Sequence, residues 1–320
     1  MLYAMSIDFS KPLFALAPLA GFTDLPFRSV VKKFGVDLTV SEMLSSNALA
    51  YQSEKTLKML QKSPLETPYS VQIAGSNQDV VQRAVEILNE QEGIDILDLN
   101  CGCPVPKVVN NLAGSALLTD LPKMAQTIET IKKYSNKEYT SVKIRLGFES
   151  KNHLEIAKIC QESGADFICV HGRTRVGKFK SQVDYDAIKE IKELLSIPVI
   201  ANGDIDSAHK AQWVLEHTKA DGIMVGRAAI GKPWIFHQMR EGVESVEGSL
   251  IRDVVLEHFD QMIAHYGEYG AVVFRKHLHT YSKAGYQGAS AFRNSVNTIN
   301  NYIEMREVVD RFFSQPLNQN

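Results

Sequence analysis

The segment Asp98-Leu99-Asn100-Cys101-Gly102-Cys103-Pro104 holds two of the chain's four cysteines. A thiol fixed in a turn between glycine and proline can act as a nucleophile, as an acid or as buried filler. Cations and an imidazole further along, Lys143 and His171, would bias it toward reactivity if the fold brings them near. Cys101 competes for the role, and the rigid Gly-Cys-Pro setting favours Cys103. The C-x-C spacing is not the C-x-x-C of zinc ribbons or thioredoxin-like sites, so no metal is expected. Cys160 lies in a helix-like stretch and Cys169 in an apolar run, where cysteine acts as a small hydrophobe. Such usage suits a reducing compartment.

Positioning these groups requires a scaffold, and the first two-thirds of the chain repeats one. Short apolar runs rich in β-branched residues are each followed by a turn and a helical segment. The runs are 13–17, 37–41, 69–73, 95–99, 141–145, 166–170, 198–201 and 221–225. Their continuous apolarity predicts parallel strands buried on both faces. Between them, Asn77 caps a helix with Val80, Ala84, Ile87 and Leu88 at helical spacing. Residues 153–163 place Leu154, Ala157 and Ile159 on one side, and Asp206 caps 207–218. Eight alternations predict an α/β fold, a (β/α)₈ TIM barrel. A doubly wound sheet would carry a glycine fingerprint where Pro18-Leu19-Ala20-Gly21 stands. Near residue 241 the pattern changes to an acidic, glycine-containing linker and then helices, with Val254, Val255, His258, Phe259 and Met262 on one face. The expected domains are a barrel over 1–243 and a small all-helical domain over 244–320.

In such a barrel the residues after each strand face the mouth. Here they are Pro18-Leu19-Ala20, Ser41-Glu42, Gln72, Asn100, Lys143 with Arg145, His171 with Arg173, Asn202-Gly203-Asp204 and Gly226-Arg227. The last two turns suit a phosphate, because glycine lets backbone N–H groups approach and Arg227 can pair with the anion. Gly226 to Lys232 spells G-x-x-x-x-G-K, yet Pro233 supplies no hydroxyl for magnesium, so the nucleotide-triphosphate signature fails. Lys143 in a barrel with a phosphate site is also compatible with Schiff-base chemistry on a sugar phosphate.

The 320 residues are 44% hydrophobic and 22% charged, with a formal charge of −2. That is an ordinary globular composition, and any nucleic-acid surface must be local. No apolar run approaches the ~18 residues of a membrane span and no N-terminal signal pattern appears, so a cytoplasmic monomer without membrane contact is expected. One local patch runs from Tyr269 to Ile303, where Arg275, Lys276, Lys283 and Arg293 interleave with aromatics and no acid occurs. Another is 173–180, with Arg173, Arg175, Lys178 and Lys180. Both suit phosphate contact and base stacking, which leaves a non-catalytic RNA-binding protein as a further alternative.

The segments APLAGFTDLPFR (17–28), TVSEMLSSN (39–47), VQIAGS (71–76), LNCGCPVPKV (99–108), LAGSALL (112–118), VKIRLG (142–147), VHGRTR (170–175), IPVIANGDI (197–205) and VGRAAIGKPWIF (225–236) together resemble the tRNA-dihydrouridine synthases, most closely the bacterial B-type branch. The resemblance covers nearly the whole chain. Cys101 and Leu19 stand where methionine is commoner. The resemblance implies FMN in the barrel mouth, NADPH as reductant and tRNA as substrate. It implies hydride delivery to uracil C6 and a proton from Cys103 to C5. It places Pro18, Leu19, Ala20, Gln72 and Lys143 around the flavin ring, and His171, Asn202, Gly203, Asp204, Gly226 and Arg227 at its phosphate end. It gives Asn100 the role of orienting uracil or the ring.

Overall fold

The computed structural model describes residues 7–178 and 180–317. Eight parallel strands close a barrel: β1 Leu13–Leu16, β2 Leu38–Val40, β3 Tyr69–Ala74, β4 Ile96–Cys101, β5 Tyr139–Arg145, β6 Phe167–His171, β7 Val199–Asn202 and β8 Gly222–Val225. Each pairs with the next, and β8 returns to β1. This is the expected TIM barrel, joined by one unexpected two-residue strand, Leu44–Ser45, beside the end of β3.

Side chains alternate along each strand. Leu38, Val40, Ile96, Phe167, Cys169 and Ile200 fill the barrel interior, while Leu97, Leu99, Cys101, Val142, Ile168 and Val170 pack outward against the helices. The inward positions change from apolar to polar toward the strands' C-terminal ends, as in Ile96–Asp98–Asn100 and Phe167–Cys169–His171. Residues with period two therefore deliver polar groups to the mouth.

The opposite rim carries a repeated device. Asp37, Asp95, Asp166 and Asp221 each precede an even-numbered strand and accept a hydrogen bond, at 2.7 Å, from the backbone N–H of Phe14, Tyr69, Thr140 and Val199. The N–H of each aspartate donates back to the carbonyl of the same residue. These aspartates close the strand starts and do not begin the strands.

Asn77 caps the helix Gln78–Asn89 as expected, but its buried face is Val81, Ala84, Val85 and Leu88. Helix His153–Glu162 buries Ile156, Ala157 and Cys160, leaving Leu154 exposed. Ser207, not Asp206, caps Ala208–Thr218, because the Ser207 side chain accepts from the Lys210 N–H. In each case the packing direction of the helix, set by the sheet, selected a neighbouring register.

Beyond the segment 242–247 follow the helices Gly248–Tyr266, Gly270–Tyr281, Ala289–Val296 and Tyr302–Phe313, which share an apolar core of their own with Val30 and Trp234 of the barrel part. Val254, Val255, His258, Phe259 and Met262 are buried there, as the periodicity predicts. No described helix is long and apolar enough to cross a membrane.

Candidate active site

A cleft at the C-terminal ends of the strands is lined by Pro18, Leu19, Ala20, Gln72, Asn100, Cys103, Lys143, His171, Asn202, Gly203, Asp204, Gly226 and Arg227, together with Ala17, Met43, Gly102, Pro104, Val105 and Arg145. Residues from all eight strands or their following turns thus meet in one space.

Cys103 sits in a turn fixed from three sides. Asn100 Oδ1 accepts from the Cys103 N–H at 2.8 Å and from the Gly102 N–H at 3.1 Å. The Ser115 N–H donates to the Cys103 carbonyl at 3.1 Å. That contact needs Gly114 with φ +61°, since a Cβ there would stand 3.0 Å from the same carbonyl oxygen. Arg145, buried, donates to the Gly102 carbonyl at 2.8 Å and to the Thr174 and Lys178 carbonyls at 3.0 and 3.1 Å. It ties the cysteine turn to the 173–180 loop, a role that its strand-end position alone did not reveal. Burial, then the charge of Arg173, lowers its guanidinium to about 10. Cys101, Cys160 and Cys169 are buried, and burial pushes the first well up and the other two to about 12.

At the other end of the cleft Gly203 has φ +128°, and a Cβ would meet Val183 at 3.0 Å. Asp204 accepts from Arg173 through both oxygens and from Arg227 Nη2 at 2.7 Å. The Arg173 hydrogen bonds hold its carboxyl below the usual range despite partial burial. Asp204 is the one carboxylate among the lining residues, and it is neutralised twice over. His171 is pushed down to about 2 by burial, then by Lys143, Arg145, Arg173 and Arg227, so its imidazole is neutral. Lys143 Nζ donates to Asn202 Oδ1 at 3.0 Å, and Asn202 Nδ2 to the Met224 carbonyl at 2.7 Å. The cleft therefore offers an apolar wall, three side-chain amides and a cationic end with close backbone. This donor set can hold a flat polar ring carrying an anionic tail.

The basic residues expected to meet RNA separate into two kinds. Arg173 is 4% exposed and committed to Asp204 and the Ser181 carbonyl, so it positions the cleft wall and offers nothing to the surface. Arg275 donates to Ile299 O and Asn300 Oδ1, and Arg293 to Ser282 Oγ. Lys178 and Lys283 are exposed, and Arg175 lies over the Phe148 ring at 4.7 Å. Phe179 lies outside the described residues. Lys276 projects to the loop after β1, its Nζ 5.4 Å from the Phe22 ring. Phe274, His277, Tyr281, Tyr286 and Phe292 are core, which removes them as base-stacking surfaces. Asp24, His258 and His277 bring three ligand-type atoms within 4.8 Å of one another. Both rings are packed against Phe27 and Phe274, leaving a polar knot at the joint between the barrel and the helices.

Comparison with known proteins adds a relationship. The dihydrouridine synthase family profile matches residues 15–317. A Helicobacter pylori protein named "Probable tRNA-dihydrouridine synthase" is 51% identical over 315 residues, covering 98% of this chain and 96% of that one. A Pasteurella multocida protein named "tRNA-dihydrouridine synthase B" is 40% identical, covering 93% and 92%. Among solved structures, morphinone reductase in complex with tetrahydroNAD superposes with a TM-score of 0.54 at 12% identity, covering 77% of this chain and 91% of that one, which speaks to the barrel fold alone.

Proposed function

The chain belongs to the dihydrouridine synthase family, and from that premise we propose that it reduces the C5–C6 bond of uridines in tRNA to 5,6-dihydrouridine. The observation that carries this reading is the meeting of one accessible cysteine, three oriented amides and a cationic, glycine-lined end in a single cleft. FMN, reduced by NADPH, supplies the hydride for uracil C6 when bound. The residues fit it: Pro18, Leu19 and Ala20 would wall the ring, Gln72 and Lys143 would meet its polar edge, and His171, Asn202, Gly203, Asp204, Gly226 and Arg227 would hold its phosphate. Addition of a hydride to C6 leaves an electron pair on C5, and the Cys103 thiol donates the proton that forms the new C5–H bond. Asn100 orients the base. Lys143 would stabilise negative charge on a ring held there.

We assign residues 1–243 to catalysis and 244–320 to tRNA docking, in a monomer working in the cytoplasm, with Arg175, Lys178, Lys276 and Lys283 as phosphate contacts. The Schiff-base alternative is disfavoured by the family relationship over nearly the whole chain. The test is direct. Purified protein is expected to be yellow, to bleach with NADPH, and to recolour when uridine-containing tRNA is added while dihydrouridine accumulates. Colourless protein that binds tRNA but leaves its uridines intact would point to the non-catalytic RNA-binding alternative.

A further inference from the structure

Asp98 faces the barrel interior one layer below the cleft, with Gln72 on β3 and Ser141 on β5 beside it in register. Ser141 Oγ donates to Asp98 Oδ1 at 2.6 Å, and Gln72 Nε2 donates to Oδ2 at 2.7 Å. Gln72 Oε1 in turn accepts from Asn100 Nδ2 at 2.7 Å, and Asn100 Oδ1 accepts from the N–H groups of Cys103 and Gly102. An unbroken chain thus runs from a carboxylate to the turn that bears the thiol. The thiol end is chemically fixed, because the Cys103 and Gly102 N–H groups only donate, and at the other end the Asp98 oxygens accept from Gln72 and Ser141. Burial raises the Asp98 carboxyl above its ordinary value, while the Ser141 and Gln72 hydrogen bonds and the charge of Lys143 lower it. The two amides between them then have one permitted sense, each NH₂ toward Asp98 and each oxygen toward Cys103. Asp98, Gln72, Asn100 and Ser141 are all buried, where a reversed amide leaves groups unpaired at a cost water does not relieve.

We propose that Asp98 is a positioning residue for proton delivery: its carboxyl oxygen terminates the Gln72–Asn100 hydrogen-bond chain as its acceptor and so holds the Cys103 turn toward the substrate base. Asp98 does not line the cleft and touches no substrate. The proposal rests on the reading of Cys103 as the acid, and it is testable apart from that reading. Because Cys101, Cys160 and Cys169 are buried, iodoacetamide labelling of the folded protein reports on Cys103.

Asp98→Ala removes the acceptor for the Gln72 NH₂ and the Ser141 hydroxyl and leaves both unpaired in the interior. In Asp98→Asn the amide oxygen faces Gln72 and the NH₂ faces the Ser141 hydroxyl, which accepts as well as donates, so the sense of the chain is kept. Asp98→Ala is expected to retain flavin, to lose about 10²-fold in tRNA reduction and to change the Cys103 alkylation rate. Asp98→Asn should keep the wild-type alkylation rate and most of the reduction. Wild-type alkylation in Asp98→Ala, or a folded Asp98→Asn that matches Asp98→Ala in both readouts, overturns the proposal. If Asp98→Ala does not fold, Asp98→Leu, which fills the space without an acceptor, takes its place. Wild-type protein that never reduces tRNA sinks the functional reading, while the alkylation series still reports whether the hydrogen-bond chain exists.

Discussion

What separates the two cysteines of the turn is where their side chains point. Cys101 is the last residue of β4 and packs outward into the layer between sheet and helices, whereas Cys103 lies past the strand end and lines the cleft. Cys103→Ala is therefore expected to keep its flavin and its NADPH oxidation while losing roughly 10²–10⁴-fold in tRNA reduction. Cys101→Ala should cost roughly 1 kcal/mol of stability and little activity. The opposite pattern in single-turnover assays would exchange their roles. Arg227 is more than half exposed and holds Asp204, so removing it should release the cofactor and leave the fold intact. A charge-assisted phosphate contact contributes ~1.5–3 kcal/mol, about one to two decades in affinity. Flavin content after gel filtration of Arg227→Ala gives the readout, and unchanged content would place the phosphate elsewhere.

At the level of strands, the barrel assigns chemistry to one rim and stability to the other. The four rim aspartates lie far from the cleft along their strands, and each exchanges two hydrogen bonds with the start of a neighbouring strand. Asp166 also binds Lys132, and Asp221 binds Lys192. Asp166→Ala and Asp221→Ala should each lower stability by about 1–2 kcal/mol, seen as a lower Tm with flavin content per folded protein unchanged. Asn at either position keeps an acceptor and should be milder. Equal Tm values for Ala and wild type would show that water replaces these bonds without cost. The sequence reveals the eight strands because strands buried on both faces are continuously apolar. It also reveals the mouth residues, because a strand's C-terminal end is local information. It does not reveal what depends on lateral register. Asp37, Asp95, Asp166 and Asp221 read as strand residues until the neighbouring strand supplies an N–H, and Asp98 reads as filler until Gln72 and Ser141 come alongside. Arg173 likewise reads as a surface cation until Asp204 folds back upon it.

Two properties belong to the whole molecule. The first is acid sensitivity. Burial depresses His171 to about 2, His258 to about 3 and His277 well below its ordinary value. Unfolding frees each to titrate near ~6.5. Above that pH the three cost nothing. As pH falls below it, the unfolded chain binds protons that the native state refuses, and stability drops by up to ~1.4 kcal/mol per pH unit for each histidine. Urea unfolding should accordingly weaken steeply between about pH 6.5 and 5, and His258→Gln should flatten the slope. A flat profile would mean that these rings take up protons in the folded protein.

The second property is how a cleft this narrow serves a substrate as large as tRNA. The β1 loop forms the cleft wall at Pro18–Ala20 and continues through Phe22 to Asp24, where the helical part docks. Tyr266 donates to Asp24 Oδ2 at 3.0 Å, and His277 packs against Phe27. Lys276 reaches the same loop at Phe22, so this cation of the helical part stands beside the cleft. Lys178 stands on the loop that Arg145 ties to the Cys103 turn. A tRNA engaging both would straddle the Cys103 thiol. Arg275, which holds Ile299 and Asn300, is a poor probe, because its loss also loosens the helical part. We therefore expect Lys276→Ala and Lys178→Ala each to weaken tRNA binding while Tm and flavin content stay as in wild type. Each lost phosphate contact should make log affinity against log salt shallower by roughly 0.7–0.9, and the double variant should show the sum. Wild-type slopes in both single variants would move the tRNA off this face. A normal slope in Lys178→Ala alone would instead confine docking to the helical part and leave the loop to position the cysteine turn.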